Sequence, residues 1–118
     1  MSLSAVERNG RPARNAAALK AEVHRWAARI GVTPRRVQLQ RMTTKWASCS
    51  SAGRICLSRD LLRGDRAFQD FVIVHELLHL LVPNHGKLFR SLMTAYVPAW
   101  EQVSRSSNTR ACRTVQGR

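Results

Sequence analysis

Four residues close together in the sequence could bind a metal ion and move a proton: His75, Glu76, His79 and His85. Residues four apart on an α-helix lie on the same face, so His75 and His79 can direct imidazole nitrogens at a single ion. A proline–asparagine pair at 83–84 ends the helix and lets His85 return as a third ligand. Three protein ligands leave the fourth tetrahedral position to solvent, which is the arrangement of a catalytic zinc site.

Glu76 is the predicted general base of this site. It is offset from His75 by about a quarter-turn of helix, which places its carboxylate beside the ion and within reach of a water molecule there. The competing explanation is that neighbours satisfy two buried histidines and a buried glutamate. Because the motif lies in an apolar stretch, ionisable groups are costly there unless something pairs them. We therefore predict one zinc ion per chain, although imidazole also suits iron, cobalt, nickel and copper.

Length and composition predict a single cytoplasmic domain. A chain of 118 residues suits one domain. No run approaches the roughly 18 to 20 apolar residues that span a bilayer, and the N-terminus lacks the apolar middle of a signal peptide. Three cysteines without a Cys-x-x-Cys pair indicate neither a disulfide framework nor a cysteine zinc ribbon. The fourth histidine, His24, has no motif around it and is predicted to be an ordinary surface or boundary residue.

The net charge of +13 is unevenly distributed along the chain. It amounts to +10 over residues 1–66, −1 over 67–103 and +4 over 104–118. The positive charge therefore avoids the motif helix. Such a field favours nucleic acid or another polyanion as a partner. The alternative, which stays open, is that the excess only reflects arginine-rich tails, since no aromatic-interleaved basic stretch is recognisable.

The periodicity of apolar residues predicts an α+β domain over residues 15–103, between a flexible basic lead-in at 1–14 and a disordered basic tail at 104–118. An amphipathic N-terminal helix at 15–30 ends at Gly31. Alternating residues from Val37 and a second short strand at 54–57, joined through a turn at 52–53, predict a small antiparallel sheet. The motif helix covers about 66–82 with Asp65 as its N-cap, and two C-terminal helical segments follow.

Two motifs together identify a family resemblance. The first is Met-Thr-Thr-Lys-Trp-Ala-Ser-Cys-Ser at 42–50, followed by Gly-Arg-Ile at 53–55; the second is His-Glu-Leu-Leu-His at 75–79 with Asn-His at 84–85. Over about residues 37–100 the chain resembles the YgjP-like metallopeptidases, relatives of the minimal zincins and, more distantly, of the SprT-type proteases. The resemblance implies a minimal zincin core, zinc at the three histidines and Glu76 as general base.

The favoured expectation is a zinc-dependent metallopeptidase acting on a peptide or protein. In zincins the substrate commonly lies along a sheet edge, so the strand at 54–57 is a candidate cleft wall through Arg54 and Ile55. Trp46 and Tyr96 are further cleft candidates, although packing is the commoner role of such side chains. Three alternatives stay open: a metal-dependent nucleotide triphosphate pyrophosphohydrolase, which no Gly-rich phosphate loop supports; a nucleic-acid-associated protease; and a non-catalytic zinc-stabilised binding module.

Overall fold

The computed structural model describes residues 11–106, which form an α+β fold of four α-helices, one 3₁₀ helix and a three-stranded sheet. The predicted fold class is confirmed. No helix in this range is long and apolar enough to cross a membrane. In chain order the elements are α1 Ala16–Ile30, β1 Arg36–Gln40, β2 Ala47–Cys49, β3 Arg54–Ser58, the 3₁₀ helix Arg59–Arg63, α2 Arg66–Leu78, α3 Lys87–Tyr96 and α4 Trp100–Ser106.

Local capping chemistry explains where the first helices begin and end. The Asn15 side chain accepts a hydrogen bond from Ala18 N at the start of α1, and Gly31 ends that helix in the left-handed region at φ 90°. The predicted cap of the motif helix is confirmed, because Asp65 Oδ1 accepts from Phe68 N at 2.9 Å. These boundaries follow from short-range contacts, which is why the sequence could predict them.

The sheet is mixed, which corrects the prediction of an antiparallel sheet. Its strand order is β1-β3-β2; β2 pairs antiparallel to β3 across the predicted turn, but β1 runs parallel to β3. The central strand is therefore β3. Apolar alternation decides which face of a strand is buried but not its direction or its neighbours. Cys49 and Cys56 lie on adjacent strands but not opposite each other, because Cys49 pairs with Ile55 and Cys56 with Ser48.

The motif helix α2 lies at the centre of the domain and contacts α1, α3, α4 and β2. Every residue of α2 except Ala67 is buried. The helix ends at Leu78, four residues before the predicted end. Its last turn tightens, since the amides of residues 79–81 donate to carbonyls three residues earlier. His79 keeps helical angles at the C-cap, so it remains one turn from His75.

Part of the predicted lead-in is fixed to the domain. Gln69, which is 1% exposed, accepts from Ala13 N and donates to Ala13 O, both at 2.8 Å. Arg14 donates to the carbonyls of Leu62 and Gly64. The folded domain thus includes residues 11–14. At the other end α4 continues to Ser106, three residues past the predicted domain boundary, while residues 1–10 and 107–118 of the predicted tails, with Cys112, lie outside the described range.

A buried ionic network joins α1 to the first half of α2. Arg66 Nη2 donates to Glu22 Oε1 at 2.7 Å, and Arg66 Nε lies 3.3 Å from Asp70 Oδ1. Trp26 Nε1 donates to the same Asp70 oxygen at 3.0 Å. Removing one partner from such a buried set leaves an uncompensated charge, at a cost of about 3–5 kcal/mol. This network holds the N-terminal half of the motif helix against α1.

Asp70 should make the domain less stable as the pH rises from acid to neutral. Burial raises the pKa of its carboxyl above the usual 3.8, partly opposed by the hydrogen bond from Trp26 and the charge of Arg66. The folded state therefore holds this proton more tightly than the unfolded chain does. The resulting stabilisation is complete below pH 3.8 and is lost as the pH rises through the folded-state pKa.

Asp70→Asn tests this pH dependence, because asparagine keeps an oxygen that can accept from Trp26 Nε1. The measurement is the free energy of unfolding in urea of both proteins between about pH 4 and pH 7. The variant should gain stability relative to the wild type as the pH rises. A difference between the two proteins that does not change with pH would contradict the assignment.

Candidate metal centre

Three imidazoles converge at the C-terminal end of α2. His85 Nε2 lies 3.1 Å from His79 Nε2 and 3.1 Å from His75 Nε2. His75 is buried, whereas His79 and His85 are partly exposed. The turn after α2 returns the chain so that His85, directly before α3, meets the two helical histidines. The three histidines singled out in the sequence are thus brought together, and two of them are partly accessible to solvent.

The spacing of the three ring nitrogens fits a metal ion. Zinc–nitrogen bonds of about 2.0–2.1 Å at tetrahedral angles place ligand nitrogens roughly 3.3 Å apart, close to the observed 3.1 Å. A hydrogen-bond explanation is poorer. One Nε2 of a neutral imidazole is either a donor or an acceptor, and His85 Nε2 faces two other Nε2 atoms at equal distance. A shared cation accommodates all three lone pairs, so these residues could hold one.

Phe89 packs against all three imidazoles. Its ring centroid lies 5.2 Å from that of His75, 4.8 Å from His79 and 4.9 Å from His85, and the side chain is 2% exposed. The ring therefore fixes the orientations of the three imidazoles and excludes water from the side that it covers. Sequence reasoning missed this role. The available signal was the spacing, because Phe89 follows His85 by four residues in the first turn of α3.

Glu76 lies inside the protein beside the histidine cluster. Its side chain is fully buried, and Oε2 is 3.5 Å from His75 Nδ1, somewhat longer than a hydrogen bond. A carboxylate that points into bulk solvent could not act on the site. The carboxylate of Glu76 points into the protein instead. The contacts of α2 with α1, α3, α4 and β2 fix the rotation of the helix and therefore the position of Glu76.

Two of the predicted cleft residues, Trp46 and Tyr96, pack against other aromatic rings. Trp46 packs edge-on against Phe68 at 4.9 Å, in the first half of α2. Tyr96 packs edge-on against Trp26 at 6.3 Å and lines a cavity of about 420 Å³ that Asp70 also borders. Both rings therefore make packing contacts, which was the alternative role for each, and their place in a cleft stays a prediction. The C-terminal end of α3 carries Tyr96 away from the cluster, which its helical spacing alone did not reveal.

The other two cleft candidates belong to the central strand. Ile55 is 1% exposed and packs in the core, while Arg54 is exposed. Because β3 pairs with β1 on one side and with β2 on the other, it offers no open edge to a substrate. The expectation that a peptide lies along the strand at 54–57 stays a prediction, without an open edge of that strand among residues 11–106 to support it. His24 is exposed on α1, as the sequence indicated.

Sequence comparison agrees with this geometry. The YgjP-like metallopeptidase domain matches residues 10–109, which cover the whole described fold. The chain therefore belongs to the YgjP-like family and carries its metallopeptidase domain. Comparison with curated proteins and with solved structures gave no match.

Proposed function

We propose that this protein is a zinc metallopeptidase whose centre is formed by His75, His79 and His85, with Glu76 as the general base. The convergence of three Nε2 atoms beside a buried carboxylate is the observation that carries the proposal. Imidazole ligands with one open face favour zinc over the harder divalent ions. The family assignment supports peptide hydrolysis as the reaction.

The histidines would bind the metal ion, and Glu76 would transfer the proton. When bound, the metal would polarise the scissile carbonyl and lower the pKa of a bound water to about 7. The three histidines hold the ion through Nε2, and Phe89 keeps their rings in place. Glu76 takes a proton from the attacking water on its carboxylate and later passes it to the leaving amine. A buried carboxylate is suited to this task because bulk water does not compete for its proton.

The sheet edge that suits a peptide substrate is β2. This strand pairs only with β3 among residues 11–106, and it packs against α2. Ser58 N donates to Trp46 O, and Ser50 N donates to Arg54 O. The main-chain groups of residues 46 and 50 therefore point toward β3. In the antiparallel pattern the main-chain groups of Ala47 and Cys49 turn to the opposite side. A substrate that adds to this edge runs beside the motif helix.

Paired activity assays on the wild-type protein test the proposal. Zinc-loaded and chelated samples are incubated with a mixture of unstructured peptides, and products are followed by mass spectrometry. Pyrophosphate release from nucleoside triphosphates is measured in parallel. Metal-dependent peptide cleavage without pyrophosphate release is the expected result. Pyrophosphate release alone would favour the pyrophosphohydrolase, and the absence of both activities would favour a non-catalytic module.

We also propose, from the sequence, that the protein acts in the cytoplasm.

A further inference from the structure

Folding concentrates positive charge on the surface by placing acids inside. Among residues 11–106, fourteen Lys and Arg side chains are exposed, whereas only two acidic side chains are, Asp65 and Glu101. Glu22, Asp70 and Glu76 are buried. The surface is therefore more basic than the net charge alone suggests. Residues 23–59, which include the whole sheet, carry eight Lys or Arg and no acid.

The sheet places part of this charge in register. In the β1–β3 pairing Arg36 lies beside Arg54, and both side chains are exposed. Neighbouring strands are about 4.8 Å apart, and like charges side by side are destabilising. Neither arginine pairs with an acid in the described part of the chain. An anion between them would remove the repulsion.

A third arginine is held at the same end of the sheet. Arg35 N donates to Gly53 O at 2.8 Å, and Arg35 Cγ lies 3.2 Å from where a Gly53 Cβ would stand. Gly53 has φ 90°, so glycine satisfies both the turn and this close approach. Arg35, Arg36 and Arg54 thus come together where parallel strands β1 and β3 begin.

The remaining residues of this side of the sheet are polar. We define the outer sheet face as the side opposite the buried Ile55 and Leu57; it comprises Arg36, Gln38, Gln40, Ser48, Arg54 and Cys56. No aromatic side chain lies on it, so it cannot stack bases as single-strand binders do. Cations with amide and hydroxyl groups are suited instead to phosphate oxygens, which position a protein without reading sequence.

We propose that the outer sheet face, with Arg35 at its end, binds the phosphate backbone of a nucleic-acid duplex without sequence preference. A duplex carries about one phosphate charge per 1.7 Å of its axis, and this charge complements an acid-free face. This inference does not depend on the peptidase proposal. Its test reads binding and metal content, so the two can fail separately.

The test is a fluorescence anisotropy titration of a labelled duplex of about 20 base pairs at salt concentrations from about 0.05 to 0.2 M. The wild type is compared with Arg36→Gln/Arg54→Gln. Each lost phosphate contact should lower the salt slope by about 0.9 and the affinity about eightfold at 0.1 M salt. Arg36→Lys/Arg54→Lys, which keeps the charges, should retain the slope. Metal content should not change in either variant, and the melting temperature of the glutamine variant should not fall below that of the wild type, because the repulsion between the two arginines is removed.

The matched control removes the same charge from the helices. Lys87→Gln/Arg105→Gln changes exposed residues of α3 and α4, which pack on α2. It should leave the salt slope within experimental error of the wild type. An equal loss in both glutamine variants would overturn the assignment of this face. So would a wild-type slope near zero, or binding to anionic phospholipid vesicles without binding to the duplex.

Discussion

Glu76→Gln is expected to lower the turnover of peptides by roughly 10²- to 10⁴-fold, the usual contribution of a positioned general base. Glutamine has nearly the shape of glutamate but cannot take the water proton. The side chain is fully buried, so replacing it with a neutral group of equal size should not unfold the protein. The measurements are the rate of peptide cleavage and the metal content by elemental analysis.

Metal content separates the proposed role from a structural one. The variant should retain about one zinc per chain, because Glu76 is not a proposed ligand. Glu101→Gln is the matched control, since it removes an exposed carboxylate from α4 and should cleave at the wild-type rate. Unchanged turnover in Glu76→Gln would remove the general-base assignment even if the protein binds zinc.

His79→Ala is expected to lose the metal and to melt at a much lower temperature than the zinc-loaded wild type. A ligand present at about 1,000 times its dissociation constant stabilises the folded state by about 4 kcal/mol. In a domain of about 100 residues this corresponds to roughly 15–30 °C in melting temperature. Elemental analysis and thermal unfolding measure the two effects. A small core gives the ion a large share in stability.

The control is another histidine of the same chain. His24 is exposed on α1, so His24→Ala should keep both the metal and the melting temperature. Chelator treatment of the wild type should reproduce the shift of His79→Ala and leave that variant unaffected. If chelation does not move the wild-type melting temperature, the three histidines do not bind a stabilising ion in the folded protein.

Features determined by neighbouring residues were predictable from the sequence. The i and i+4 spacing placed two histidines on one face of α2, and Asn15 and Asp65 marked helix starts. The direction of β1 was not predictable, because its alternation is the same in a parallel and an antiparallel pair. The central position of β3 was therefore not predictable, and the strand at 54–57 was expected to have an open edge.

Features that depend on tertiary contacts were also missed, because a sequence pattern does not report which elements pack together. The contact between Phe89 and three imidazoles depends on how α3 packs against the end of α2, and helical spacing does not report that packing. Glu22 and Arg66 are 44 residues apart and meet only when α1 packs on α2. Within one helix, the i,i+4 relation of Arg66 and Asp70 was visible, but their burial was not.

The inward placement of the acids also governs how copies of the protein meet. Exposed lysine and arginine side chains far outnumber exposed acidic ones among residues 11–106, so two approaching copies repel each other before any short-range contact forms. Self-association is opposed most strongly at low ionic strength, where screening is weakest. A polyanion reverses this by neutralising several molecules at once, and it therefore acts as a scaffold on which copies can crowd together.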